Sequence, residues 1–307
     1  MEPIVRISGL SHRYSTTWAI RDINFEIPRR GILGLLGSNG AGKSTTMNIL
    51  CGVLTPTTGE IIIDGINLSK APQRAKQEIG FLPQTPPLYM DLTVDEYLRH
   101  AAILRTIPSK QVNAALTEVK EKCGLNSVHK RLIKNLSGGY KQRVGIAQAI
   151  IHKPKLVVFD EPTNGLDPNQ IIEVRALIKE IATERAVILS THILTEVQYL
   201  CQDIVMIDSG RIVFADSMEA FDNYIAPHSM LATMLQSPPL EILRAIPGIS
   251  RVDSLTDKQY RLFFNGDRQV AEMLILESAK NGWRLSELQL EKNSLDETFA
   301  QLSRYTK

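Results

Sequence analysis

Paired cysteines, a leader sequence, a long apolar run and a surplus of either charge are all missing from these 307 residues. The three cysteines, Cys51, Cys123 and Cys201, stand far apart with no Cys-x-x-Cys spacing. That leaves neither a disulfide framework nor a zinc site, and reads as buried, reduced thiols in a cytosolic setting. Met1-Glu2-Pro3 leads straight into a strand-like segment, without the basic start and apolar stretch of a secretory leader. No apolar run approaches the ~20 residues of a membrane helix, so the expectation is a soluble chain that reaches a membrane only through a partner. Lys and Arg number 35 against 33 Asp and Glu, a formal net charge of +2, which argues against nucleic acid as a partner. Internal repeats and low-complexity segments are absent as well. What is present is an ordinary globular balance, 43% hydrophobic and 22% charged, at a length that holds one large domain or one large and one small.

From about Pro3 to Phe25 apolar and polar positions alternate, as in half-buried strands. Gly31 to Leu36 is a short apolar run that reads as a buried strand, Lys43 to Cys51 as a helix closed by Gly52, and Glu60 to Asp64 as a strand ending in an Asp64-Gly65 turn. Thr93 to Cys123 has helical spacing broken at Pro108, and Tyr140 to His152 is a further helix. Lys155 to Phe159 and Ala186 to Ser190 read as buried strands around a helix from Gln170 to Glu184. Ile204 to Ile207 and Arg211 to Ala215 flank a hairpin turn at Asp208-Ser209-Gly210. Buried strands alternating with helices imply an α/β domain with a parallel sheet core. After Asp216 to His228 the pattern changes to strand, helix, two strands, helix, strand, with a last helix from Ser294 to Ser303. This βαββαβ order suggests a small ferredoxin-like α+β domain.

Gly37-Ser38-Asn39-Gly40-Ala41-Gly42-Lys43-Ser44-Thr45 matches G-x-x-x-x-G-K-[ST] between a strand and a helix. Glycines let the backbone curl so that several N–H groups face phosphate oxygens, and the following helix turns its positive end to the same anion. Lys43 is placed to reach the β- and γ-phosphates of ATP, and Ser44 to ligate Mg2+. The strand Leu156 to Phe159 delivers Asp160-Glu161 to its carboxyl end, where α/β sheets place chemistry. Asp160 suits Mg2+, usually through water, and Glu161 suits a base for the attacking water. A second glycine turn, Ser137-Gly138-Gly139, opens a helix running through Gln142 and Arg143. It reads either as a helix cap by Ser137 or as a second phosphate-facing helix terminus, and the two loops could serve one nucleotide or two half-sites.

From about Ile4 to Ala215 these segments, in this order, resemble the ATP-binding cassette (ABC) ATPases. Leu136 to Arg143 looks like the family's signature motif, and Gln84, after Gly80-Phe81-Leu82-Pro83, like its Q-loop glutamine. Gly165-Leu166-Asp167 resembles the D-loop, His192 the switch histidine and Tyr14 the aromatic that stacks on adenine. Where the family usually carries proline in the phosphate loop, Ser38 stands. Taken singly, Gln84 reads as a polar loop residue, His192 as a structural histidine, Tyr14 as half-buried packing and Asp167 as a helix cap. The joint order carries the likeness.

The resemblance implies a P-loop NTPase cassette over residues 1–217 with a helical subdomain at about 93–152, and an accessory domain over 218–307. It implies ATP and Mg2+ as cofactors, with Ser44, Gln84 and Asp160 on the metal and Glu161, His192 and Gln84 in catalysis. It implies a head-to-tail dimer, a homodimer by preference, in which Ser137, Gly138, Gly139 and Gln142 of one subunit close over ATP held by the other. The segments around Phe25 to Gly37 look most like ABC-2-type, multidrug or gliding-motility-associated ATPases. The expected activity is therefore ATP hydrolysis coupled to export, with a multispanning permease in a separate chain and a peripheral position on the inner face of the membrane. The alternative is a soluble ABC ATPase acting in assembly, translation or repair. Leu295 to Leu302 resembles the closing helix of this ABC subgroup, with a stabilising or dimerising role.

Overall fold

Alternation along the first strands is what a sheet with one covered face requires. In β1 (Val5–Tyr14) Val5, Ile7 and Leu10 are buried while Arg6 and Ser8 are exposed. The chain continues through β2 (Thr17–Ile27), β3 (Gly31–Leu36), α1 (Lys43–Leu50), β4 (Thr58–Ile63), β5 (Ile66–Asn67), α2 (Pro72–Gln77) and β6 (Ile79–Leu82). It then enters α3 (Val94–Leu104), α4 (Ser109–Lys122) and α5 (Gly138–Ile150), before β7 (Leu156–Asp160), α6 (Pro168–Glu184), β8 (Ala186–Thr191), α7 (Leu194–Leu200), β9 (Asp203–Asp208) and β10 (Arg211–Ser217). The structure is a computed structural model and describes residues 3–224, 228–267 and 269–291.

Two sheets share this first unit, Met1–Met218. A six-stranded sheet runs β10-β9-β3-β8-β7-β6, parallel throughout except for β10 at one edge. All residues of β7 and β8 are buried, as a parallel sheet covered on both faces demands. The expected parallel core is therefore present, but β1, β2, β4 and β5 do not join it. They form a separate antiparallel sheet in the order β2-β1-β4-β5. Ile20, Ile23, Ile61 and Ile63 from that sheet and Leu33, Leu35, Val158 and Ile188 from the parallel one share a single apolar core.

The break at Pro108 separates α3 from α4. Thr93 and Glu96 start α3 as a reciprocal cap, each side chain bonded to the other's backbone N–H. The sequence reading missed α2, β6 and α7. Six, four and seven residues are too few for periodicity to declare itself. In β6, Gly80 also interrupts the apolar pattern, because a Cβ there would lie 2.1 Å from the Ala149 carbonyl of α5.

His152, just past α5, gives this unit a pH dependence. Burial, with Arg105 and Arg185 nearby, lowers its pKa from the ordinary 6.5 to about 4. It stays neutral in the fold, with Nε2 bonded to the Ile79 carbonyl at 3.1 Å. Between about pH 6.5 and pH 4 the unfolded chain takes up that proton and the fold does not. The stability this group contributes is present above pH 6.5 and is lost as pH falls toward 4, by at most about 3 kcal/mol. His152→Gln should flatten that part of the curve in denaturant titrations run at pH 7 and 5; an unchanged slope would show that His152 does not cause it.

The second unit, Glu219–Lys307, begins within α8 (Met218–Tyr224) and contains β11 (Ser229–Met234), α9 (Leu240–Arg244), β12 (Ile249–Ser254), β13 (Gln259–Phe264), α10 (Gln269–Asn281) and β14 (Leu285–Glu291). Its four strands are antiparallel in the order β12-β13-β11-β14. They carry a core of their own around Met230, Met234, Leu262, Phe264, Leu274 and Trp283. The helix expected over Ser294 to Ser303, and with it the Leu295 to Leu302 segment, lies outside the described residues.

Candidate functional site

Four neighbouring strands of the parallel sheet, β3, β8, β7 and β6, end on the same side. Their carboxyl ends lead into Gly37–Thr45, His192, Glu161 and Gln84 respectively. Segments scattered over more than 150 residues are thus delivered side by side, at the place where open α/β sheets bind ligands.

The Gly37–Thr45 loop is held from several directions. Gly42 precedes α1 at φ +110°, and a Cβ there would meet Ile20 Cγ2 at 2.6 Å and the Ala19 carbonyl at 2.9 Å, so only glycine fits. Ala41 N bonds the Ser38 carbonyl at 3.1 Å, the Ala41 carbonyl accepts from Gly210 N at 3.0 Å, and the Gly210 carbonyl accepts from Arg21 N at 2.8 Å. The β9–β10 turn and β2 therefore fix the loop's shape before any ligand arrives.

Lys43 is 5% exposed. Its Nζ donates to the Gly37 carbonyl at 2.8 Å and to the Ser38 carbonyl at 3.1 Å. Burial pushes the ammonium below the ordinary lysine range, while the Glu161 and Asp160 carboxylates pull it back up. Around it opens a polar cavity of about 410 Å3, lined by Ala19, Asn39, Gly40, Gly42, Lys43, Ser44, Thr45, Gln84, Glu161, Asn164 and His192. Glu161, another lining residue, accepts from Gln84 Nε2 at 3.0 Å on one oxygen and meets His192 Nδ1 at 3.0 Å on the other. Asn164 Nδ2 stands 3.4 Å from the first of those oxygens. The backbone N–H of Glu161 bonds the Ser190 carbonyl of β8 at 3.0 Å, and its φ is +48°.

Asp160, expected on the metal, is not among the residues lining the cavity: it lies just before Glu161, is 5% exposed, and its Oδ1 is buried with no hydrogen-bond partner. An orphaned carboxylate oxygen is costly and is what a cation would satisfy. Ser44 and Gln84 add a hydroxyl and an amide oxygen in the cavity wall. Among the described residues no cluster of three His, Cys, Asp or Glu forms. A cation here would rest on one carboxylate and neutral oxygens, the hard-oxygen set that Mg2+ accepts alongside phosphate oxygens and water.

The structure does not bring every expected residue to this cavity. Gly37, Ser38 and Ala41 shape the loop from behind without lining the cavity. Tyr14, half exposed at the end of β1, lies outside the lining and packs edge-on against His12 at 4.8 Å. Ser137, Gly138, Gly139 and Gln142 also lie outside it. Ser137 caps α5, Gly139 is pressed on Gln170 of α6, and Gln142 is buried. Asp167 caps α6, accepting from Gln170 N at 3.0 Å. The capping readings of Ser137 and Asp167 are thus both realised. Ala19 and Asn164 reach the cavity without having stood out in the sequence. Ala19, a lone alanine in β2, carries no chemical signal of its own, and Asn164 marks itself only by following the acidic pair closely.

Comparison with known proteins gives the same picture. The family model described as "ABC transporter" matches residues 20–164. An ABC transporter ATP-binding protein of Bacillus subtilis (strain 168), YdbJ, is 35% identical over 262 residues, covering 85% of this chain and 80% of its own length. The bacitracin transport ATP-binding protein BcrA of Bacillus licheniformis is 38% identical over 215 residues, 69% of each chain. Among solved structures, an ATP-binding subunit of an ABC transporter superposes with a TM-score of 0.65 at 31% identity, covering 71% of this chain and 91% of that one.

Proposed function

This chain belongs to the ABC transporter family, and we infer that it is the ATP-hydrolysing subunit of a transporter, working on nucleotide held by the Gly37–Thr45 loop. The observation that carries this reading is that Glu161, fixed by Gln84 and His192, lines the same cavity as Lys43 and Ser44. Relatives named for transport favour it over the soluble assembly or repair alternative.

In this reading the loop's N–H groups and Lys43 hold the β- and γ-phosphates, and Glu161 takes the proton of a water attacking the γ-phosphorus in line. The new O–P bond forms as the bond to the ADP oxygen breaks, so ADP and phosphate are released. His192 and Gln84 keep the Glu161 carboxylate turned into the cavity. Mg2+, held by Ser44, Gln84 and Asp160, would neutralise phosphate charge as it is transferred. Tyr14 serves as the platform for the adenine ring. The Ser137-Gly138-Gly139 turn does not line its own chain's cavity, which is consistent with its acting on the nucleotide of a second copy, the role the family resemblance implies. Head-to-tail pairing gives it that γ-phosphate, with Gln142 supporting the turn and Asp167 at the contact. A multispanning permease in another chain places the pair at the inner face of a membrane. No helix among the described residues is long and apolar enough to cross one.

Ser137→Arg separates the two halves of such a site. The variant should keep ATP affinity for the isolated chain within a few-fold, since its own phosphate loop is untouched. Steady-state turnover should drop by about 10²-fold, the size of losing one oriented donor to a developing oxyanion. Equal loss of binding and turnover, with binding measured on the dilute monomer, would place the turn in its own chain's site and overturn the head-to-tail reading.

A further inference from the structure

We propose that Glu196 is a positioning residue for hydrolysis, a buried carboxylate on α7 that fixes the spacing between the Glu161 loop and the His192 loop. The proposal rests on the roles given to Glu161 and His192 above. Glu196 lies in the first turn of α7 and is 1% exposed. One of its oxygens accepts from Thr163 Oγ1 at 2.5 Å and from Arg175 Nη2 at 3.2 Å, and the other accepts from Thr191 Oγ1 at 2.9 Å. Thr163 follows Glu161 by two residues, and Thr191 immediately precedes His192. Thr191 Oγ1 in turn accepts from Ile193 N at 3.1 Å, so the clamp continues into the backbone that carries His192.

The two loops are thereby tied twice. In the cavity, His192 meets Glu161 directly; in the interior, Glu196 spans the threonines beside them. Arg175 extends the tie to α6, the helix that starts at Asp167. The other inward residues of α7, Val197 and Leu200, are apolar. A charge among them carries a heavy desolvation cost unless it is fully bonded. Here the donors come from the two loops flanking the reacting side chains and from α6. A carboxylate accepts from both hydroxyls at once, whereas the amide of glutamine offers one accepting oxygen and would have to reverse the bond to the other hydroxyl. Loosening the bridge should let Glu161 and His192 drift apart without touching the phosphate loop, and a shift of ~1 Å at reacting groups costs about 10²-fold in rate.

The test is steady-state ATP hydrolysis by the full chain carrying Glu196→Gln, Thr163→Val or Thr163→Ser, each alone and with His192→Ala. Glu196→Gln and Thr163→Val should lower kcat by about 10- to 100-fold while KM for ATP stays within about twofold, and Thr163→Ser should restore the rate. In the His192→Ala background Glu196→Gln should cost little more, because the contact it serves is already gone. Wild-type kcat in Glu196→Gln, KM rising in step with the loss, failure of Thr163→Ser to rescue, or an equal fold-loss on top of His192→Ala would each overturn the positioning role. Should Glu196→Gln not fold, Thr163→Val decides through the same cycle. His192→Ala at the wild-type rate would overturn the site reading and this proposal with it. A slow His192→Ala with additive Glu196→Gln overturns the positioning role alone.

Discussion

Glu161→Gln should stop turnover and keep ATP bound. The substitution preserves shape, and the amide oxygen can still accept from Gln84 Nε2 while its NH2 donates to a neutral His192 Nδ1, so the wall of the cavity stays in place. What disappears is the acceptor for the proton of the attacking water, an effect of about 10²- to 10⁴-fold. The contacts proposed for Lys43 and the loop N–H groups with nucleotide do not involve this side chain and should be unaffected. The expected result is phosphate release reduced by at least about 10²-fold, with ATP affinity near wild type. ATP would then accumulate between paired chains, giving a dimer in gel filtration with ATP and a monomer without it. A rate within tenfold of wild type would remove Glu161 as the base. A monomer in the presence of bound ATP would remove the paired arrangement while leaving the base assignment standing.

Lys43→Ala should act earlier, on binding. The ammonium is buried, lowered by desolvation, and held by two carbonyls that cannot neutralise it. Arriving phosphates supply the missing negative charge, so binding recovers what desolvation costs the free protein. Charge-assisted bonds of this kind contribute about 1.5–3 kcal/mol each, and Lys43 can make them to two phosphate groups. Removing it should weaken ATP binding by about 10²-fold or more and slow hydrolysis further, since charge on the γ-phosphate grows during transfer. The variant also leaves the Gly37 and Ser38 carbonyls without their donor, so thermal unfolding belongs beside the binding titration. Near-normal turnover at saturating ATP would refute the phosphate role. A folded protein with lost affinity would support it.

The sequence disclosed the chemistry more readily than the architecture. The phosphate loop was legible because its glycines, lysine and serine are spaced by what a phosphate needs, and that requirement acts over nine contiguous residues. Glu161 was legible because an apolar strand ran straight into it. By contrast, β6 leads into Gln84 but is four residues long and interrupted by Gly80, whose identity is dictated by the backbone of α5 over 60 residues away. The separation of β1, β2, β4 and β5 into their own sheet could not be read either. Alternation reports one covered face, not which sheet a strand joins. Glu196 was invisible for a similar reason. In the sequence it is an acidic residue early in a short helix, an unremarkable choice near a helix N-terminus. Only the fold shows that Thr163, Arg175 and Thr191 converge on it. The residues hardest to see were those whose partners are distant in sequence.

Glu161 sits at φ +48°, a conformation that side chains with a Cβ occupy at a cost of roughly 1–2 kcal/mol. Glycine would relieve the strain and asparagine would lessen it. The strand end thus sets fitness against comfort: the residue proposed to serve the reaction is not the one the backbone prefers. Selection for thermal robustness alone would drift away from glutamate here, so a design protocol blind to activity is expected to trade the proposed base for a sturdier protein.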